Sequence, residues 1–249
     1  MEENNTSYPY RLDICGTWMD SPEFNSLCCG AVICMSIEPT IKFMEGAGMA
    51  TSTRKRAIEL WGPTIPENRN RVELAAELNR LENAYNGGYF NGSQDPIGML
   101  VPGCHYLFYK HNSLWPNRIE TLDDVDTLDF LKQHINLIPI APRREGYNAW
   151  QNAWFDYQTT KDVVRSSKMC WQAIQNKDVE MFGAALNKCY DAQSKMCPLT
   201  LTNGVKEAVE KYRPISAGCR PAAGGGGGYL LVITEEPIEN AIHIEPCKK

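Results

Sequence analysis

Five consecutive glycines, Gly224 to Gly228, run directly into the apolar stretch Tyr229-Leu230-Leu231-Val232-Ile233. Glycine gives up more backbone freedom on ordering than any other residue, so five ordered in a row oppose folding strongly. Most glycine runs are therefore flexible linkers. Here no serine or other polar spacer separates the run from what reads as a buried strand. That juxtaposition predicts a tight loop packed on a ligand or on another stretch of backbone.

A second small-residue segment is Glu45-Gly46-Ala47-Gly48-Met49-Ala50-Thr51-Ser52-Thr53, ahead of a short helix over residues 53–61. Small residues let backbone N–H groups approach a phosphate, and a helix N-terminus adds about half a positive charge there. The hydroxyls of Thr51, Ser52 and Thr53 can meet phosphate oxygens or magnesium. Such turns are common, and Ser52 serves equally well as a helix cap.

Two carboxylates follow. The spacing of Leu74, Leu78, Leu81 and Tyr85 predicts a helix over 70–86, ended by Gly87-Gly88. Glu82, four residues after Leu78, borders its buried face. Asp95 falls in a glycine-rich loop ending in Gln94-Asp95-Pro96. Magnesium takes carboxylate oxygens, and a hydroxyl nucleophile needs a nearby base. Taken alone, a solvated helix-end glutamate and an Asp-Pro turn explain the pair better.

Strands are expected at 10–15, 30–37, 104–110, 134–141 and 229–233. Helices are expected over 146–193, where Trp150, Trp154 and Tyr157 are spaced by four and three, and over 204–212. A connecting segment with a short helix fills 122–133. Strands and helices do not alternate regularly, which predicts an α+β fold. The 249 residues suffice for one large or two small domains, and the division is placed at 1–125 and 126–249.

A net charge of −5 provides no basic footprint for nucleic acid or an anionic membrane. No apolar run is long enough to span a bilayer. The opening MEENNTSYPY is acidic and polar, unlike a secretory signal. The ten cysteines form no CxxC pair and the four histidines are scattered. Free buried thiols in a reducing, cytoplasmic compartment are expected rather than a zinc site.

Taken in order, these segments resemble the signature motifs of the GHMP kinase family, which includes galactokinase, homoserine kinase, mevalonate kinase and phosphomevalonate kinase. The sugar-kinase branch is the most similar. Arg11-Leu12-Asp13-Ile14-Cys15-Gly16-Thr17-Trp18-Met19-Asp20-Ser21-Pro22 resembles the first motif, an arginine on a strand, then glycine, then aspartate near proline. Gly48 to Thr53 matches the phosphate loop, and Ala223 to Gly228 the third, glycine-rich motif. Gly92-Ser93-Gln94-Asp95-Pro96-Ile97-Gly98 is similar to the Gln-Asp-Gln segment that carries the family's catalytic aspartate. VPGCHYLFYK, LWPNRIETL and INLIPIAPRREGYNA resemble the heptose and fucose kinase branch. The likeness covers nearly the whole chain.

The resemblance implies a two-lobed fold, ribosomal-protein-like in the N-terminal half and ferredoxin-like in the C-terminal half, with the active site between. It implies ATP and Mg2+, and phosphoryl transfer to a hydroxyl of a small-molecule sugar or sugar phosphate, the anomeric one being favoured. By the same carry-over, Asp95 is the base and Arg11 orients or stabilises charge near it. The amides of Gly46, Gly48, Met49, Ala50, Thr51, Ser52 and Thr53 cradle the triphosphate, and Ser52 and Glu82 hold magnesium. Asp20, Arg143, Gly225 and Gly226 contact the sugar. A homodimer is left open.

The chain departs from the family in four places. Almost nothing stands between Phe43 and Gly46, where relatives have strands and a helix that help form the adenine pocket. Arg54-Lys55-Arg56 replaces small apolar residues after the phosphate loop. Pro96 replaces the second glutamine, and Pro221-Ala222-Ala223 lacks the usual small polar lead-in. Two expectations result: an active sugar kinase with a trimmed nucleotide site, or a catalytically impaired sugar-binding relative.

Overall fold

The computed structural model describes residues 6–84 and 90–249. An antiparallel sheet is formed by β1 (Tyr10–Cys15), β2 (Gly30–Ile37), β3 (Cys104–Tyr109) and β4 (Arg118–Leu122), in that order. β1 and β2 are buried along their whole length, so they lack an alternating pattern. The reason is that both sheet faces are covered. On one face, Ser36 Oγ donates to Met99 O at 3.3 Å, in helix α4 (Gln94–Leu100). On the other, Tyr106, opposite Ile33, meets Trp171 of helix α6 (Tyr157–Asn176) with ring centroids 5.4 Å apart.

The remaining helices of the first half are α1 (Pro22–Asn25), α2 (Thr51–Trp61) and α3 (Arg71–Ala84). The second half holds α5 (Val125–His134), β5 (Ile135–Pro139), α7 (Val179–Met196), α8 (Asn203–Tyr212), β6 (Gly218–Pro221), β7 (Tyr229–Ile233) and β8 (Ile242–His243). Its antiparallel sheet has the order β6-β7-β5-β8.

Helix α7 touches β1 of the first sheet and β6 and β7 of the second. One apolar core accordingly contains Leu12 and Ile33 together with Phe182, Leu186 and Leu231. The end of the chain also crosses back: Cys247 N–H donates to Ser36 O at 2.9 Å and Glu38 N–H to Glu245 O at 2.7 Å. Among the described residues, no helix is long and apolar enough to cross a membrane.

Several sequence expectations need correction. The helical stretch expected over 146–193 begins only at Tyr157 and consists of two helices. Asp156 and Asp178 each accept the backbone N–H three residues on, at Thr159 and Met181. These caps set the helix starts and leave Trp150 and Trp154 in irregular chain. Gln94-Asp95-Pro96 opens helix α4 rather than closing a loop, since a first turn tolerates proline. Strands β4, β6 and β8 were not expected. Tyr85 and Gly87-Gly88 lie outside the described residues. β2 connects to α2 through residues 38–50, which contain no strand or helix.

Candidate active site

Residues two apart on a strand share a face, and on β1 these are Arg11 and Asp13. Both are buried, and both line a cavity of about 440 Å3. Other walls come from Thr17, Trp18 and Asp20 after β1, the loop before α2, Gln94 and Asp95 of α4, segment 143–150, and Ala223-Gly224.

Arg11 forms an ion pair with Asp95, donates to Gly48 O at 3.2 Å, and lies 3.9 Å from Asp13. Burial pulls the Arg11 guanidinium down, but Asp95 and Asp13 more than offset this and hold it above its ordinary value. Asp13 is held in turn by Arg220, whose Nη1 is 2.9 Å from Asp13 Oδ1 and 2.8 Å from Ile14 O. The same guanidinium reaches Ala223 O at 3.1 Å, Gln193 Oε1 at 3.3 Å and the hydroxyl of Thr17. One fully buried arginine thus joins the first motif to the glycine-rich one.

Asp20 accepts from Gln94 N at 3.4 Å and Gln94 Nε2 at 3.3 Å. Burial, reinforced by the charges of Asp95 and Asp13, pushes its carboxyl up to about 7. Gly92 is required beside it, because a Cβ there would lie 1.7 Å from Asp20 Oδ2.

The loop before α2 divides by role. Gly46, Gly48, Ala50, Thr51 and Ser52 reach the cavity. Met49 is buried in the core and its carbonyl accepts the Arg11 N–H at 3.4 Å. Thr53 is also buried. Ala50 adopts a left-handed φ of 55°, and no side chain caps α2, so Ser52 is not the helix cap. An uncapped first turn leaves donors for an anion.

The glycine run is an ordered loop. Gly225 to Gly228 all have φ between 65° and 149°, a region that disfavours side chains. Arg143 Nε donates to Gly225 O at 2.8 Å, Tyr147 Oη to Gly224 O at 2.8 Å, and Gly226 N–H to Thr200 O at 3.0 Å. Arg143 lines the cavity, with its guanidinium 5.4 Å from the centre of the Tyr147 ring. Ala223 and Gly224 line the cavity, whereas Gly225 and Gly226 are not among its lining residues. A Cβ on Gly228 would come within 2.5 Å of Ala47 O, so the run packs on the backbone of the loop before α2. Gly228→Ala is expected to lower stability by roughly 2 kcal/mol or more through strain and overlap, measured by urea unfolding.

Glu82 is buried, with Oε2 lacking a hydrogen-bond partner, and it is not among the residues lining the cavity. Burial pushes its carboxyl up to about 7; Thr53 pulls it down and the like charge of Asp95 raises it further. An acid whose folded pKa is raised binds protons more tightly when folded. Its contribution is therefore full below the unfolded pKa near 4 and is lost as pH rises to about 7. The wild type is expected to lose melting temperature between pH 5 and pH 8, and Glu82→Gln should flatten that fall, read by thermal unfolding across the pH range.

Among the described residues, no group of three or more His, Cys, Asp or Glu side chains could hold a metal. Magnesium needs only one or two carboxylates when phosphate oxygens complete its shell. The unpartnered Glu82 Oε2 and its repulsion with Asp95 fit a cation beside them.

The structure thus brings Arg11, Asp20, Asp95, Arg143 and the loop 46–52 around one space. Asp13, Thr17, Trp18, Arg220 and Gln193 were not anticipated as site residues. A charged pair two apart on a buried strand was the available signal for Asp13, and an arginine just before the glycines was the signal for Arg220.

This arrangement is the fold of the GHMP-type small-molecule kinases. A mevalonate kinase matches with a TM-score of 0.63 at 12% identity, covering 98% of this chain and 99% of that one. A D-glycero-D-manno-heptose 1-phosphate kinase from Bacteriodes thetaiotaomicron matches with 0.59 at 11%, covering 98% and 96%. Lactococcus lactis galactokinase, in complex with galactose, matches with 0.60 at 13%, covering 92% and 85%. At these identities the likeness is one of fold. No protein-family model and no curated protein matches the chain.

Proposed function

We propose that this chain transfers the γ-phosphoryl group of ATP to a hydroxyl of a sugar or sugar phosphate, the anomeric one being favoured. The observation that carries this reading is that the Arg11–Asp95 pair and the uncapped N-terminus of α2 line one cavity. In this reading Asp95 takes the proton of the acceptor hydroxyl, supported by its ion pair with Arg11, which holds the carboxylate at the cavity wall. The amides around Gly46 to Ser52 orient the phosphates for in-line attack. Ser52 in the cavity lining and the buried Glu82 behind it would be the residues to hold magnesium, which when bound would supply positive charge for the phosphates.

A second reading, a sugar-binding protein without turnover, is favoured by the connection over residues 38–50, which has no strand or helix and walls a cavity of only about 200 Å3 beside the loop before α2. Thermal shift with MgATP and with sugars, separately, together with an assay for ADP, decides between them. A ligand at one hundred times its dissociation constant stabilises by about 2.7 kcal/mol. Shifts with both and sugar-dependent ADP formation are expected. A shift with sugar alone and no ADP would establish the second reading instead.

A further inference from the structure

Two smaller cavities adjoin the main one. The first, about 200 Å3, shares Gly46, Thr51 and Ser52 with the main cavity. The second, about 210 Å3, shares Tyr10, Lys42 and Arg54 with the first. A phosphate chain seated at the loop before α2 would have the rest of its molecule in this trough. Lys42, Arg54 and Lys55 line the first small cavity against one acid, Glu45, so its wall is net positive. Its two aromatic side chains are already committed. Tyr10 is 5% and Phe43 3% exposed. Their ring centroids lie 4.8 Å apart, Phe43 meets Tyr229 at 5.4 Å, and the Arg54 guanidinium lies 4.6 Å over the Tyr10 ring. Neither ring offers an open face on which a planar base would stack.

The polar groups of the trough are engaged as well. Thr40 N–H donates to Glu38 O at 2.8 Å, Met44 N–H to Tyr229 Oη at 3.0 Å and Ala47 N–H to Met44 O at 3.3 Å. Arg54 donates through Nε to Tyr8 O at 2.9 Å and through Nη2 to the Thr6 hydroxyl, which fixes it as a point of positive charge. Telling one base from another takes a fixed pattern of donors and acceptors. Among the described residues, no asparagine, glutamine, aspartate or histidine lines either small cavity. The Thr40 hydroxyl donates or accepts equally, and Pro39 and Ile41 add apolar contact that suits any base. Positive charge is what the trough supplies, and a phosphate chain takes it whatever the chain carries.

We propose that the phosphoryl donor is held through its phosphate chain, with Lys55 and Lys42 along it, and that its base is not selected. This rests on the reading of the loop before α2 as the phosphate site. It widens the donor class from ATP to nucleoside triphosphates in general and to inorganic tripolyphosphate. With each donor the bond from the terminal phosphorus to its bridging oxygen breaks and a bond to the acceptor oxygen forms. A nucleoside diphosphate or pyrophosphate leaves, and the acceptor's proton passes to Asp95.

The test is binding rather than turnover. Isothermal titration of the whole chain with the magnesium complexes of ATP, GTP, CTP, UTP and tripolyphosphate, and with adenosine, gives the affinities. The four nucleotides should agree within about fivefold and tripolyphosphate should bind within about tenfold of them, whereas adenosine should not bind up to millimolar concentration. Lys55→Ala should weaken all five triphosphates by a common factor of about fivefold, and Lys55→Arg should restore them. All five should weaken together as salt is raised. The proposal is overturned if ATP binds more than about fivefold tighter than another nucleotide or more than about tenfold tighter than tripolyphosphate. It is also overturned if adenosine binds, if no triphosphate binds, or if folded Lys55→Ala weakens one nucleotide selectively or none. Binding of all five without sugar-dependent release of diphosphate or pyrophosphate would instead sink the proposed activity and uphold this mode of binding.

Discussion

Arg220→Met should lower the unfolding free energy by about 3–5 kcal/mol, because it leaves a buried charge without its partner. Arg220 and Asp13 both have side chains with no exposed surface. With Arg220 gone, Asp13 retains the Thr17 hydroxyl at 3.1 Å and Arg11 at 3.9 Å, and Arg11 is already committed to Asp95. The carbonyls of Ile14 and Ala223 lose the guanidinium as donor as well, Ala223 O keeping Gln193 Nε2 at 3.1 Å. Met replaces the aliphatic stem, so the loss measured is mostly that of the charge network. Asp13→Leu combined with Arg220→Met should recover part of the stability, since apolar replacements of similar volume remove the orphaned charge. Urea unfolding of the two single variants and the double variant gives the coupling. A single-variant cost below about 1 kcal/mol would refute the view that this pair ties the two motifs together.

Asp95→Asn should reduce turnover by on the order of a hundredfold or more, the usual effect of removing a general base. Asparagine keeps the shape and can still accept from Arg11, so the wall between α4 and β1 should stand. On the proposed function, what it loses is the ability to take a proton from the acceptor hydroxyl. Sugar affinity, read by thermal shift, should stay within a few-fold of wild type. The informative result is therefore a fall in kcat without a matching rise in the sugar's dissociation constant. Wild-type turnover in the folded variant would remove Asp95 from the role of base.

Much of the fold was legible in sequence because local signals were strong. β1 reads as an alternating segment ending at Gly16 and β2 and β7 as apolar runs, and they occupy Tyr10–Cys15, Gly30–Ile37 and Tyr229–Ile233. The helix boundaries near 156 and 178 were also local, written in two capping aspartates, but the aromatic spacing at Trp150 and Trp154 obscured them. β4, with half-exposed polar residues, and β8, with only two residues, carry almost no periodic signal. They are strands because a neighbouring edge supplies their hydrogen bonds.

The site shows the same division. Residue types and their order along the chain determined that a small-residue loop would open a helix, that Arg11 would sit on a strand, and that the glycine run would be ordered rather than a linker. These follow from backbone sterics and propensity, which act within a few residues. Only the tertiary structure decided that Arg11 meets Asp95 across 84 positions, that Arg220 closes on Asp13 across 207, and that Gly228 packs on Ala47. It also decided that Trp18 lines the cavity while Gly225 and Gly226 do not. Such pairings depend on how α7 and the two sheets share one core, and burial is what makes each charge require its particular partner.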